Sequence, residues 1–353
     1  MPTTAPRFRR RRVRETLFLL LFAFSVVTAR AAGLREIVIP ADSRGPRILA
    51  RLWTPCAAPP APIIVASEAG PLTIQAIENC APVGERLPLI VISHGLFGDA
   101  FSHHDTAAFL ADHGFAVVTL DHTLDSVSAI GGTSADSISS FLVRPVDVTR
   151  VIDFLLANPD AGVSIDSRRL GFFGFSRGGY TGLVLAGAVP DFLAPPFPCP
   201  EEFLMCRQIR DNDIPDHASG YDPRIRAFVI ADPVNFFPNR PNLEGVTAPI
   251  QLWSSEHGGM GVRPEDVAAL AGNLPTSPEF HRPPDSEHFA FLFPCPSEVA
   301  TASPQLCTNR PGFDRADFHR QLNAQVLAFF RRNLPGSGGQ SDHGADHTTI
   351  PPA

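Results

Sequence analysis

The chain reads as an α/β protein, a mostly parallel doubly wound sheet, on three observations. Continuous apolar runs recur at 89–92, 115–120, 170–175, 226–231 and 249–253. Such runs suit strands buried on both faces of a parallel sheet. Segments with helical spacing lie between them. The run that ends at Phe175 passes through "GFSRGGYTG" into a stretch able to start a helix. Strand–helix alternation of this kind defines a doubly wound architecture.

The elements follow in order. Residues 1–31 carry a basic block from Arg7 to Arg14, a short apolar run from Leu17 to Val27, and small residues at Ala29-Arg30-Ala31. This is the pattern of a secretory signal, so a secreted or periplasmic protein is expected. The apolar run is short for a membrane span, although an uncleaved anchor is the alternative. The arginines also fit twin-arginine export, so the route stays open. Residues 34–39 and 47–53 read as strands around a turn at Asp42–Gly45. A Pro/Ala-rich insertion spans 55–86. Helices are predicted at 103–113, with Ala107, Phe109 and Leu110, and at 145–157. The latter sets Val148, Val151, Ile152, Leu155 and Leu156 on one side, and Asp147, Arg150 and Asp153 on another. Residues 189–224 are Pro-rich and lack a period. An insertion there sits above the strand ends and can form a cap. Its Phe192, Leu193, Phe197, Phe203 and Leu204 either line an acyl pocket or make a small core under a loop. A last helix, about 313–332, carries Phe318, Leu322, Val326 and Phe329. The tail, 335–353, has few apolar anchors and reads as disordered. One domain, 32–334, is therefore expected between an export signal and a loose end.

Composition narrows the function. The formal charge is −7. Removing residues 1–31 takes away seven Arg and one Glu, a net +6, so −7 becomes −13. An acidic protein of this kind has no electrostatic case for nucleic acid. All 29 basic residues are arginine. The lack of lysine removes Schiff-base chemistry and Ser-Lys dyads. Six cysteines in an exported chain suggest disulfides, and their grouping favours 56–80, 199–206 and 295–307. Zinc spacing is absent, and His103 and His104 face different ways on a helix, so neither a metal nor a cofactor is expected.

Ser176 lies in Gly174-Phe-Ser-Arg-Gly178, between a buried strand and a helix. A serine in so tight a turn needs neighbours without side chains. Its hydroxyl needs a base, an orienting acid and two amide donors to act as a nucleophile. In this architecture the order is serine, acid, histidine. His217, His257, His281, His288, His319, His343 and His347 follow the serine. His288, in the loop "DSEHFAFL" before the last helix, is the expected base. Asp232 and Glu256 both end apolar runs at the crevice side of the sheet, and either can be the acid. The amide donors are expected at Arg177 and at Leu96, in the loop "VISHGLFGD", where His94 reads as structural.

These residues resemble the α/β-hydrolase fold, and within it the predicted dienelactone hydrolases and the secreted platelet-activating factor acetylhydrolases. The resemblance covers roughly 34–332. It rests on "SHGLFG" (93–98), "FLADHGFAVVTLDH" (109–122), "RPVDVTRVIDFL" (144–155), "GFSRGGYTG" (174–182), "DPRIRAFVIADP" (222–233) and "SEHFAFL" (286–292). It implies Asp232 as the acid, with Glu256 as the alternative. Ser176 stands where the dienelactone hydrolases use cysteine, which argues against that activity. Phe175 stands where histidine often precedes the nucleophile. The resemblance implies a carboxylic ester hydrolase acting on a small-molecule or lipid ester. Platelet-activating factor acetylhydrolase-like phospholipid esterase, lipase and polyester hydrolase are its alternatives. A hydrolase-fold binding module with a dead site is the reading from another class. No stable membrane span is expected after signal cleavage, and the sequence leaves the oligomeric state open.

Overall fold

The computed structural model describes Met1 and residues 31–336, apart from 68–69, 130–134, 159–160, 196–198, 200 and 217–218. Residues 2–30 of the expected export signal and all but the first two residues of the expected tail therefore lie outside the described residues, as do Phe197, His217, His343 and His347.

Nine strands form one sheet. In chain order they are β1 (Ala31–Ile39), β2 (Ile48–Cys56), β5 (Ile77–Glu78), β6 (Leu87–Ser93), β7 (Ala116–Leu120), β8 (Ile165–Phe175), β9 (Ile225–Ala231), β10 (Ile250–Trp253) and β11 (Glu279–His281). β3 (Pro62–Ser67) and β4 (Gly70–Gln75) make a separate antiparallel pair. The spatial order of the large sheet is β11-β10-β9-β8-β6-β7-β2-β1-β5. From β7 to β11 every pairing is parallel, while β2 runs antiparallel to both β7 and β1.

Helices cover both faces. They are α1 (His104–Asp112), α2 (Ile138–Ala157), α3 (Arg177–Leu185), α4 (Leu204–Asp211), α5 (Pro264–Asn273), α6 (Ser297–Ala302), α7 (Pro304–Cys307) and α8 (Arg315–Asn333). The period of two along each strand divides the core. Leu89, Val91, Leu170, Phe172, Phe228 and Ile230 face one cluster, which takes Val148 and Val151 of α2 and Leu183 of α3. Ile90, Ile92, Phe173, Phe175, Val229 and Ala231 face the other, which takes Leu110 of α1 and Leu322 and Val326 of α8. Both clusters are buried and apolar, so the continuous runs in the sequence are strands with two buried faces.

The structure adds detail to one reading and corrects another. The Pro/Ala-rich insertion 55–86 holds the β3–β4 hairpin and sends β5 to the edge of the large sheet. Its strands alternate exposed and buried positions, with Val65, Leu72 and Ile74 inward. Helix α2 begins at Ile138 rather than 145, and runs through Pro145. A proline inside a helix removes one intrahelical bond. The buried residues Ile138, Phe141 and Ser140 hold the turns before it in place.

Disulfides join Cys56–Cys80, Cys199–Cys206 and Cys295–Cys307, leaving no free cysteine. In residues 189–224, Phe192 is buried among Phe141, Tyr180 and Phe236, whereas Leu193 and Phe203 are exposed. No described helix is long and apolar enough to cross a membrane.

Candidate active site

Ser176 sits in the turn from β8 into α3 with φ 57° and ψ −115°. Few residues other than glycine hold such a backbone, and it is kept here by what surrounds it. The Ser176 N–H donates to the Ala231 carbonyl at the end of β9, 2.9 Å away. The flanking glycines are obligatory. A Cβ on Gly174 would lie 2.1 Å from the Gly178 carbonyl oxygen, and one on Gly178 would lie 2.0 Å from the Ser93 carbonyl oxygen. Both obstacles are main chain and cannot swing aside.

His288 opens a short turn of 3₁₀ helix, His288–Phe291. Its N–H donates to the Gly258 carbonyl, and its ring lies against Phe175, with centroids 4.6 Å apart. Nε2 is 3.1 Å from Ser176 Oγ, and Nδ1 is 2.6 Å from Asp232 Oδ2. Asp232 ends β9 in another left-handed turn, φ 45°. Its carboxylate is fully buried and accepts two more hydrogen bonds, from the Ser255 N–H to Oδ1 and the Ser255 hydroxyl to Oδ2, each 2.8 Å. Three donors thus fix both oxygens. Since Asp232 accepts at Nδ1, the proton of a neutral His288 ring belongs on Nδ1 and the lone pair at Nε2 faces the serine.

Glu256 is turned elsewhere. Its Oε2 accepts the Asp285 N–H at 2.6 Å and lies 3.7 Å from His257 Nε2. Glu256, His257 and Asp285 bring three potential ligand atoms within 4.8 Å of one another on an open surface, the one such group among the described residues. The other described histidines that follow Ser176 are engaged elsewhere: His281 stacks on Trp253, and His319 bridges Asp105 and the Ala290 carbonyl.

The amides of Leu96 and Arg177 have no hydrogen-bond partner among the described residues, whereas those of Phe97 and Gly98 donate to Asp125 and Gly95. His94 is buried and structural. It donates from Nδ1 to the Gly95 carbonyl and accepts the His122 N–H at Nε2. Burial, reinforced by the nearby Arg144 charge, holds its pKa well below the usual histidine range. Sequence reasoning missed Ser255, Asp125 and Arg144. Asp125 and Arg144 are fully buried, and Asp125 ends the "LDHTLD" stretch just past β7. A charged residue so close to a strand's carboxyl end is the signal that could have found it.

A nine-stranded, mostly parallel sheet with helices on both faces, carrying a serine at a strand-to-helix elbow, is the α/β-hydrolase fold. Among solved structures the chain is similar to a ferulic acid esterase from Streptomyces cinnamoneus, with a TM-score of 0.60 at 18% sequence identity over 91% of this chain and 95% of that one. No protein-family model and no curated protein sequence matches.

Proposed function

We propose that the protein is an exported serine hydrolase that cleaves carboxylic esters through an acyl-enzyme. The carrying observation is the unbroken chain of contacts from Ser176 Oγ through the His288 ring to Asp232. Ser176 attacks the ester carbonyl while His288 Nε2 takes its proton. Asp232 keeps the ring in the tautomer that leaves Nε2 free and stabilises the imidazolium that forms. The Leu96 and Arg177 N–H groups receive the oxyanion. His288 then returns the proton to the leaving alcohol, and a water activated by the same ring releases the acid. No step calls for a cofactor.

Two observations support the wider reading. The likeness to a ferulic acid esterase favours an ester as the scissile group. Three disulfides suit an oxidising compartment outside the cytosol. Residues 189–224 act as the cap-like segment: two N–H groups at the start of α4, those of Leu204 and Met205, bond to Asp136, next to the Ala135 carbonyl that holds the Arg177 side chain.

The test is a panel of p-nitrophenyl esters of rising acyl length, with methyl ferulate as a separate arm, together with a fluorophosphonate probe. Wild type should hydrolyse at least one ester and be labelled at Ser176. Ser176→Ala should lose turnover by about 10³- to 10⁶-fold with an unchanged melting transition. A wild type that takes no label and cleaves no ester would make this a binding module built on a hydrolase fold.

A further inference from the structure

The proposed oxyanion donors come from two loops far apart in the chain, Leu96 after β6 and Arg177 at the start of α3. Two amides aimed at one oxygen must keep their relative position to within a few tenths of an ångström, because a hydrogen bond to developing charge weakens quickly with misalignment. Something has to tie the loops together.

Asp125, after β7, touches both. Its backbone carbonyl accepts the Phe97 N–H at 2.9 Å, one residue past Leu96. Its Oδ2 accepts from Arg177 Nη1 at 3.2 Å, and its Oδ1 lies 3.4 Å from Arg144 Nε. Arg144 in turn grips the residues before Leu96: Nη1 and Nη2 donate to the His94 carbonyl at 3.0 and 2.6 Å, and Nη2 reaches the Gly95 carbonyl at 3.4 Å. Both arginines are buried. Arg177 also donates to the Ala135 carbonyl at 2.6 Å and to Ser140 Oγ at 2.9 Å, with its guanidinium 4.3 Å over the Phe141 ring. A side chain bound on so many sides cannot move without dragging its own backbone amide along. Guanidinium forks that take up the carbonyls at 94 and 95 keep that face of the turn occupied and leave the Leu96 N–H turned away from them.

We infer that Asp125, acting through Arg144 and Arg177, is the positioning residue that holds the two oxyanion donors in register. It touches no reacting atom. The inference rests on the proposed ester hydrolysis. Asp125 is also the counter-charge of both buried guanidiniums, so removing it affects stability as well as register, and the experiment reads the two separately.

The experiment compares wild type, Asp125→Asn and Arg144→Gln by p-nitrophenyl butyrate kinetics and by inhibition with a trifluoromethyl ketone. That ketone forms a tetrahedral adduct whose oxyanion needs both amides, whereas ground-state binding of the ester does not. Asp125→Asn should lower kcat about 10- to 100-fold with KM within about 3-fold, and weaken the ketone in parallel with kcat/KM. Arg144→Gln, which leaves the Asp125–Arg177 pair intact, should show the same split and serves if Asp125→Asn does not fold. Folded variants with lower melting temperatures but wild-type kcat and ketone affinity would overturn the inference while leaving the esterase reading in place. A wild type that neither hydrolyses the ester nor binds the ketone would remove the esterase reading, and this inference with it.

Discussion

Asp232→Asn tests how the buried carboxylate governs the histidine. The substitution keeps shape and volume but makes the two terminal atoms unlike. The Ser255 N–H donates to the position of Oδ1, so the amide oxygen settles there. The NH₂ group then takes the position of Oδ2, 2.6 Å from His288 Nδ1. Facing a donor, Nδ1 must accept, and the ring proton moves to Nε2, which points at Ser176 Oγ. The base is then blocked by its own proton. The flipped amide would restore the working tautomer, but only by setting its NH₂ against the Ser255 N–H. An unmade buried hydrogen bond costs about 1 to 3 kcal/mol, so the working form falls to between about a sixth and about a hundredth of the population. Loss of the charge that stabilises the imidazolium adds to this. The combined loss in kcat should be about 10³- to 10⁴-fold, which is about 4 to 5.5 kcal/mol. Glu256→Gln is the matched control. Its side chain accepts the Asp285 N–H, a bond an amide oxygen can keep, and otherwise faces His257 away from Ser176 and His288, so its kcat should stay within about 10-fold of wild type. Steady-state hydrolysis of one p-nitrophenyl ester at saturating substrate measures both. A larger loss in Glu256→Gln than in Asp232→Asn would refute the reasoning.

Two further outcomes follow from the packing and the charges. Gly178→Ala should cost about 3 kcal/mol or more and abolish soluble expression, because its Cβ meets the Ser93 carbonyl. Gly272→Ala in α5, where nothing lies within 4 Å, should be neutral or slightly stabilising in urea melts. Asp121 has its pKa pushed up to about 6 by burial, despite the Ala100 N–H that its carboxylate accepts. Its folded form therefore binds the proton more tightly than the unfolded form. The resulting stabilisation is complete below about pH 4 and is lost as pH rises through about 6. Asp121→Asn should accordingly gain up to about 3 kcal/mol at pH 8 and nothing at pH 4, and equal gains at both would reject the argument.

Central strands were legible because burial on both faces writes them as unbroken apolar runs, as in "AFVIA" of β9 and "LIVI" of β6. The β3–β4 hairpin was not. Only Val65, Leu72 and Ile74 of its strands are buried, and its prolines and alanines resemble a linker. The early start of α2 was hidden by Pro145, which on sequence grounds suits a first turn better than an interior. At the site, Ser176 and His288 could be named because an elbow and a chain order constrain them. The choice between Asp232 and Glu256 could not be made from the residues themselves, since both end an apolar run. Backbone geometry separates them: the left-handed turn at Asp232 directs its carboxylate to the ring, while the chain at Glu256 turns its side chain to Asp285. Arg144 fell just outside the helix expected at 145–157 and drew no role from the sequence, because its partners are main-chain carbonyls of a loop 50 positions away.

The two margins of the large sheet are unusually small. One ends in the two residues of β5, the other in the three of β11, where Glu279 is paired to Arg332 of α8. β5 pairs only with Gly33 and Leu34, so the outer side of β1 from Arg35 to Ile39 has no strand beside it among the described residues. Arg35 and Glu36 place charges on that open border, a device by which an edge strand discourages pairing with a neighbouring molecule.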